Sequence, residues 1–220
     1  MTTDHVAEIL DLERLRDTPA TPSPFPFLIV PNFIRPQARN AIAQAFPVIA
    51  HGGSFPLPSL KFGPAFGALV DALTSTRMRD MLAEKLDIVL DGRPVMTTVR
   101  GHCAARDGQI HTDSRTKLVT VLLYMNDHAD ADRGRLRLLR SATDLKDMVA
   151  EVPSDPTTLL AFRNDANAWH GFEPIDGPRR TIQVNWVRDA RVVLREQSRH
   201  RLSAFIKRLS GRGAPHAAAH

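Results

Sequence analysis

The sequence contains a single cysteine, Cys103, in 220 residues. No disulfide can close within the chain, and a zinc site built from several thiolates is excluded. So sparse a use of cysteine fits a reducing, cytoplasmic setting, which is the expected location. No apolar run approaches the ~20 residues that cross a bilayer. Residues 1–16 mix charged and apolar side chains and lack the basic-then-apolar order of a signal peptide. Internal repeats and long low-complexity stretches are missing too, which leaves one domain with decorations or two small ones. Net positive charge is missing outside one end. Eight Lys and Arg residues from Arg188 onward stand against Asp189 and Glu196, so of the formal charge of +5 the tail holds +6 and the body is near −1. That distribution disfavours a nucleic-acid groove across the domain.

What is present suits a soluble globular chain. An apolar fraction of 43% and a charged fraction of 24% are ordinary, and this length can bury a core without staples. Residues 6–15 read as a short helix, and the proline-containing stretch 17–24 as a stiff connector. A strand is expected over 25–30. Pro36 opens a helix running to about Phe46. His51-Gly52-Gly53-Ser54 has the chemistry of a loop. Two helices follow over 65–74 and 76–86, the second capped by Ser75. Its Met78, Met81, Leu82 and Leu86 recur at helical spacing and read as core packing. Strands are expected over 95–100, 118–125, 157–162 and 181–187, with a polar-apolar alternation over 135–138. The run 118–125 is apolar almost throughout and should be buried on both faces. Several short strands at this spacing indicate a sandwich or barrel of jelly-roll type.

The chemistry concentrates in the C-terminal half. His111 and Asp113 sit two residues apart, so in an extended segment both side chains point to one face. With His170 from a distant strand they form a two-histidine, one-carboxylate set suited to non-haem Fe(II), with Mn and Zn as alternatives. His170 is preferred as the third member because Trp169 and Phe172 flank it with apolar bulk. His5, His51, His128, His200, His216 and His220 fall in expected loops, termini or tail. His102 is closer, with a structural role equally open to it. Arg179 and Arg180 start the strand 181–187, and only one of them can point inward. Arg180 shares parity with Ile182, Val184 and Trp186, so it is expected to face the interior. There a guanidinium grips a carboxylate bidentately.

Taken in order, His111-Thr112-Asp113, the strand ending Leu123-Tyr124-Met125-Asn126, Gly134-Arg135-Leu136, His170 and Arg180 resemble the Fe(II)/2-oxoglutarate-dependent oxygenases. The prolyl-4-hydroxylase-like branch is the most similar. The resemblance spans about 95–187. It implies a mainly β fold with flanking helices: a double-stranded β-helix (jelly roll, cupin-like) buttressed by N-terminal α-helices. On it residues 1–94 are a support region, 95–187 the dioxygenase core and 188–220 a basic amphipathic helix with a trailing tail. By position, His111, Asp113 and His170 match the iron ligands. Arg180 matches the residue binding the distal carboxylate of 2-oxoglutarate, Tyr124 its hydrogen-bonding partner, and Leu136 and Trp186 the lining of the cosubstrate pocket. The cofactors implied are Fe(II) and 2-oxoglutarate, with ascorbate as an optional accessory. The reaction implied is hydroxylation of a C–H bond in a protein side chain or small metabolite, with dioxygen consumed and succinate and CO2 released. Arg100, Gly101, His102 and Cys103 replace the tyrosine usual on the strand before the motif, and this leaves the substrate open. The intact Asp113 argues against the halide-binding variant. The alternative is a non-catalytic jelly-roll metal-binding or sensor module with a basic interaction tail. In that tail Leu202, Phe205, Ile206 and Leu209 mark one helix face, with an acidic partner, nucleic acid or a membrane surface as the expected contact. A homo-oligomer is compatible with all of this.

Overall fold

A computed structural model describes residues 3–126, 134–191 and 193. The expected tail helix lies outside them. The element order is α1 (Thr3–Ile9), α2 (Leu12–Asp17), β1 (Phe27–Val30), α3 (Pro36–Gln44), β2 (Phe55–Pro56), α4 (Pro64–Leu73), α5 (Thr76–Lys85), β3 (Val95–Cys103), β4 (Lys117–Tyr124), β5 (Leu136–Leu139), β6 (Met148–Val152), β7 (Leu159–Arg163), β8 (His170–Gly171) and β9 (Gly177–Val187). Among the described residues no helix is long and apolar enough to cross a membrane.

The strands form two antiparallel sheets, one in the order β1-β7-β4-β9-β3-β2 and one in the order β6-β5-β8. The helices make a third layer. Two apolar clusters result. The first lies between the helices and the large sheet and includes Phe33, Phe66, Met78, Leu82, Val121, Ile182, Val184 and Trp186. The second lies between the two sheets and includes Phe25, Cys103, Tyr124, Leu136, Leu138, Phe162 and Phe172. Strand β4 is central, and it contributes Val119, Val121 and Leu123 to the first cluster and Tyr124 and Leu122 to the second. Burial on both faces is why its sequence is apolar almost throughout.

Local details depart from the sequence reading where a tertiary contact intervenes. The expected helix over 6–15 is two helices. Leu10 leaves the helix to bridge Ile34, and the Asp11 side chain accepts from Arg14 N at 3.0 Å to start α2. Ser75 caps α5 as expected, accepting from Met78 N at 3.2 Å. Directly after the expected loop, Phe55–Pro56 pairs with Thr98 and Val99 at the sheet edge. Strand β9 starts at Gly177, four positions earlier than its apolar run, because Gly177 and Pro178 pair with Cys103 and His102 beyond an irregularity in β3. Strand β6 has no counterpart in the sequence reading; its residues are exposed or half-buried up to Val152, so no apolar period marks it.

Candidate metal centre and anion pocket

Two glycines bring the chain segments of the site together. Gly108 has φ +99, and a Cβ there would run into the Phe172 carbonyl oxygen; a Cβ on Gly171 would sit 2.9 Å from Gly108 O. Their absence of side chains lets Phe172 N donate to Gly108 O at 2.8 Å, and lets His111 and His170 exchange backbone hydrogen bonds of 2.9 Å each. On its other side His170 pairs with Leu138 of β5. The result is an imidazole pair with ring centroids 4.3 Å apart. Asp113 follows on the loop leading into β4. One ligand atom from each of His111, Asp113 and His170 lies within 4.8 Å of the others. The structure therefore brings together the three residues singled out from the sequence.

The hydrogen bonds prepare these groups as donors. Nδ1 of His111 lies 2.8 Å from Gln109 O, and Nδ1 of His170 lies 2.9 Å from Ala168 O. A carbonyl only accepts, so each Nδ1 carries a proton and each Nε2 is the nitrogen left to face a metal. Burial, aided by the like charges of His111 and Lys117 and opposed by Asp113, pulls the His170 pKa down to about 4. Its imidazole is neutral at physiological pH, as ligation requires. Burial works against the charge of Asp113, yet Lys117 and His170 together with hydrogen bonds from Lys117 and Thr120 outweigh it, and the carboxyl titrates below its ordinary value. Lys117 Nζ donates to Asp113 Oδ1 at 2.6 Å, and the Thr120 hydroxyl to Oδ2 at 2.6 Å. Two imidazoles and a carboxylate, with His111 exposed and His170 buried, make a donor set that fits Fe(II) with positions open to ligands.

A second polar feature sits deeper between the sheets, and here the arginine expectation is corrected. Arg179, not Arg180, points into the interior. Arg179 is 4% exposed, with its guanidinium carbon 4.3 Å from the Phe172 ring centre and 5.4 Å from that of Tyr124. Its hydrogen bonds to Tyr124 Oη and Gly134 O are both long, at 3.4 Å. Among the described residues no carboxylate pairs with it. Tyr124 is buried, and burial raises its pKa although Arg179 pulls the other way. Arg180 lies on the opposite face of β9, its guanidinium carbon 5.9 Å from the Phe46 ring centre, in an outer cleft of about 250 Å³ that it shares with His102 and Pro178. Trp186 is likewise on the helix side, in the first apolar cluster. Leu136 does lie between the sheets with Tyr124.

The physical reason is the three-layer build. Both faces of β9 are buried, so apolar parity identifies the face under the helices, while the face toward the site carries Arg179, Thr181, Gln183 and Asn185. Lys117, Thr120, Asn164 and Asn185 were also not singled out from the sequence. Threonine, asparagine and a strand-leading lysine carry no motif, and only the strand register places them beside Asp113. Arg100 donates to Asp107 Oδ2 at 2.6 Å and to Ser54 Oγ at 3.2 Å, tying β3 to the loop before the motif. His102 Nδ1 lies 3.9 Å from Asp176. His51 is exposed and lies 60 residues before His111 in the sequence.

Comparison with known proteins agrees with this geometry. Residues 99–188 match the model of the 2OG-Fe(II) oxygenase superfamily, a family that uses Fe(II) and 2-oxoglutarate. A comparison with curated proteins finds none that matches. Among solved structures, the viral collagen prolyl hydroxylase of Paramecium Bursaria Chlorella virus-1, crystallised with 2-oxoglutarate, is 12% identical with a TM-score of 0.51, over 74% of this chain and 96% of that one. A Pseudomonas putida prolyl-4-hydroxylase is 15% identical with a TM-score of 0.49, over 84% of this chain and 91% of the other. A prolyl 4-hydroxylase from Phytophthora capsici is also 15% identical, with a TM-score of 0.47 over 88% and 68%. The fold is that of the viral enzyme: a jelly roll of antiparallel strands flanked by helices.

Proposed function

We propose, from the match of residues 99–188 to the 2OG-Fe(II) oxygenase superfamily, that the protein is a 2-oxoglutarate-dependent dioxygenase that hydroxylates a C–H bond. In this reading His111, Asp113 and His170 hold the iron. Arg179, with Tyr124, takes the distal carboxylate of 2-oxoglutarate, the role expected at Arg180. The observation that carries the reading is the buried Arg179 guanidinium beside the Tyr124 hydroxyl, between the same sheets as the metal ligands and without an acid partner among the described residues. A buried cation without a counter-ion is expensive, and a bound carboxylate removes that cost.

Iron supplies oxygen activation and two-electron oxidation when bound, coupled to decarboxylation of the cosubstrate. The rest is the work of the chain's own residues. The carbonyls of Gln109 and Ala168 hold both imidazoles in the ligating tautomer. Lys117 and Thr120 keep Asp113 ionised and oriented. Arg179 and Tyr124 fix one end of the cosubstrate, and the apolar side chains of Leu136, Phe162 and Phe172 exclude water from its path. Where a guanidinium contacts a carboxylate, planar bidentate geometry fixes orientation as well as affinity.

Conversion of 2-oxoglutarate to succinate by the Fe(II)-loaded protein in air is the test. Turnover that disappears in Arg179→Ala and survives in Arg180→Ala supports the reading. No succinate and no 2-oxoglutarate binding with Fe(II) would leave a metal-binding module without oxygenase activity.

A further inference from the structure

Around Asp113 the side chains form a one-way chain of hydrogen bonds. Thr120 and Asn185 face each other across β4 and β9 in register, and each is 1% exposed. Asn185 Nδ2 donates to Thr120 Oγ1 at 2.8 Å, and Asn164 Nδ2 donates to the same oxygen at 2.9 Å. Thr120 Oγ1 then donates to Asp113 Oδ2 at 2.6 Å. A hydroxyl has one proton and two acceptor lone pairs, and a carboxylate can only accept. The Thr120 proton is therefore committed to Asp113, and both amides must turn their NH2 groups to Thr120. All three capacities of the hydroxyl are used, and its rotation is locked.

One part of the arrangement is retained at a cost. The Oδ1 atom of Asn164 is buried without a hydrogen-bond partner, and an unsatisfied buried acceptor costs about 1–3 kcal/mol. Reversing the amide would satisfy that oxygen from Thr120 and take the proton away from Asp113. The backbone holds Asn164 where it is, through Asn164 N donating to Leu118 O at 2.9 Å.

We propose that Asn185 and Asn164 are positioning residues for the metal-binding carboxylate and act on it through Thr120. This rests on the metal-centre reading above and adds residues to it. With Oδ2 held by a locked donor, the carboxylate plane is set, and Oδ1 is the oxygen left for a cation. Lys117 also touches that oxygen, so it shares Oδ1 with whatever metal binds. Neither asparagine touches a metal ligand directly, so removing one changes metal affinity only as far as Thr120 transmits it.

The test is Co(II) binding by the full chain, followed by visible absorption and calorimetry, with melting temperature and circular dichroism recorded beside it. Thr120→Val should weaken Co(II) by roughly 10–100-fold, the usual size of a ligand-orienting contact, and Thr120→Ser should stay within about 3-fold of wild type. Asn185→Leu should weaken Co(II) by roughly 3–10-fold in the wild-type background and by under about 2-fold in the Thr120→Val background, because its only route is then cut. Equal losses in both backgrounds, or no loss in either, would overturn the proposal. If Thr120→Val does not fold, Asn164→Leu/Asn185→Leu takes its place; a roughly 10–100-fold loss is then expected and unchanged affinity overturns the idea. Wild-type protein that fails to bind Co(II) would instead overturn the metal centre, and the relay with it.

Discussion

Replacing Arg179 by methionine should move binding and stability in opposite directions. The guanidinium is 4% exposed, and its two hydrogen bonds, at 3.4 Å, are longer than a good N–H···O bond. Among the described residues it is thus a buried charge with little compensation. Exchanging a buried ionic group for an apolar one of similar shape is often neutral or stabilising by about 1–4 kcal/mol. For a chain of this size each kcal/mol is worth roughly 2–4 °C in melting temperature, so Arg179→Met should melt at or several degrees above wild type. With 2-oxoglutarate the sign reverses. Two charge-assisted hydrogen bonds at about 1.5–3 kcal/mol each are lost, and even half of that total weakens binding by over about 10-fold. Calorimetric titration of 2-oxoglutarate into Mn(II)-loaded protein, beside thermal melts with and without it, reads both effects. Arg180→Met is the control and should bind 2-oxoglutarate as wild type does. The reasoning fails if Arg179→Met binds normally, or if the loss falls on Arg180→Met.

Three further outcomes follow from the same geometry. The His170 pKa is depressed to about 4 from 6.5, so the unfolded chain takes up a proton that the folded one refuses. Metal-free stability contributed by His170 is complete above about pH 6.5 and declines as pH falls toward 4, by up to about 1.4 kcal/mol per unit; a urea-denaturation series should show this slope, and His170→Gln should flatten it. The Asp113 contribution is complete above its ordinary value of 3.8 and is lost only as pH falls below it, outside that window. Gly108→Ala forces a side chain into a left-handed backbone and against the Phe172 carbonyl, and should cost about 1–3 kcal/mol and weaken metal binding, since the same turn brings His111 to His170. Trp186→Phe should lower the melting temperature and leave 2-oxoglutarate affinity unchanged, because Trp186 packs under the helices; weakened cosubstrate binding at undiminished stability would contradict that placement.

The sequence by itself determined the chemistry of the candidate metal ligands and the kind of fold. Histidine and aspartate two positions apart must share a face of any extended segment, and a second histidine flanked by aromatic bulk narrows the third ligand. Those are local constraints of geometry and residue type. A near-continuous apolar strand similarly announces burial on both faces. What the sequence could not decide was which buried face belongs to the site. Arg179 and Arg180 are chemically identical neighbours, and the apolar period of β9 marks the face under the helices as strongly as an interior would. Only the stacking of helices, large sheet and small sheet turns Arg179 toward Tyr124 and leaves Arg180 beside Phe46. Tertiary structure alone also supplied the polar surroundings of Asp113. Thr120, Asn164 and Asn185 come from three separate parts of the chain, and only the register of β4 with β9 and the turn after β7 brings the two amides to the Thr120 hydroxyl and that hydroxyl to the Asp113 carboxylate.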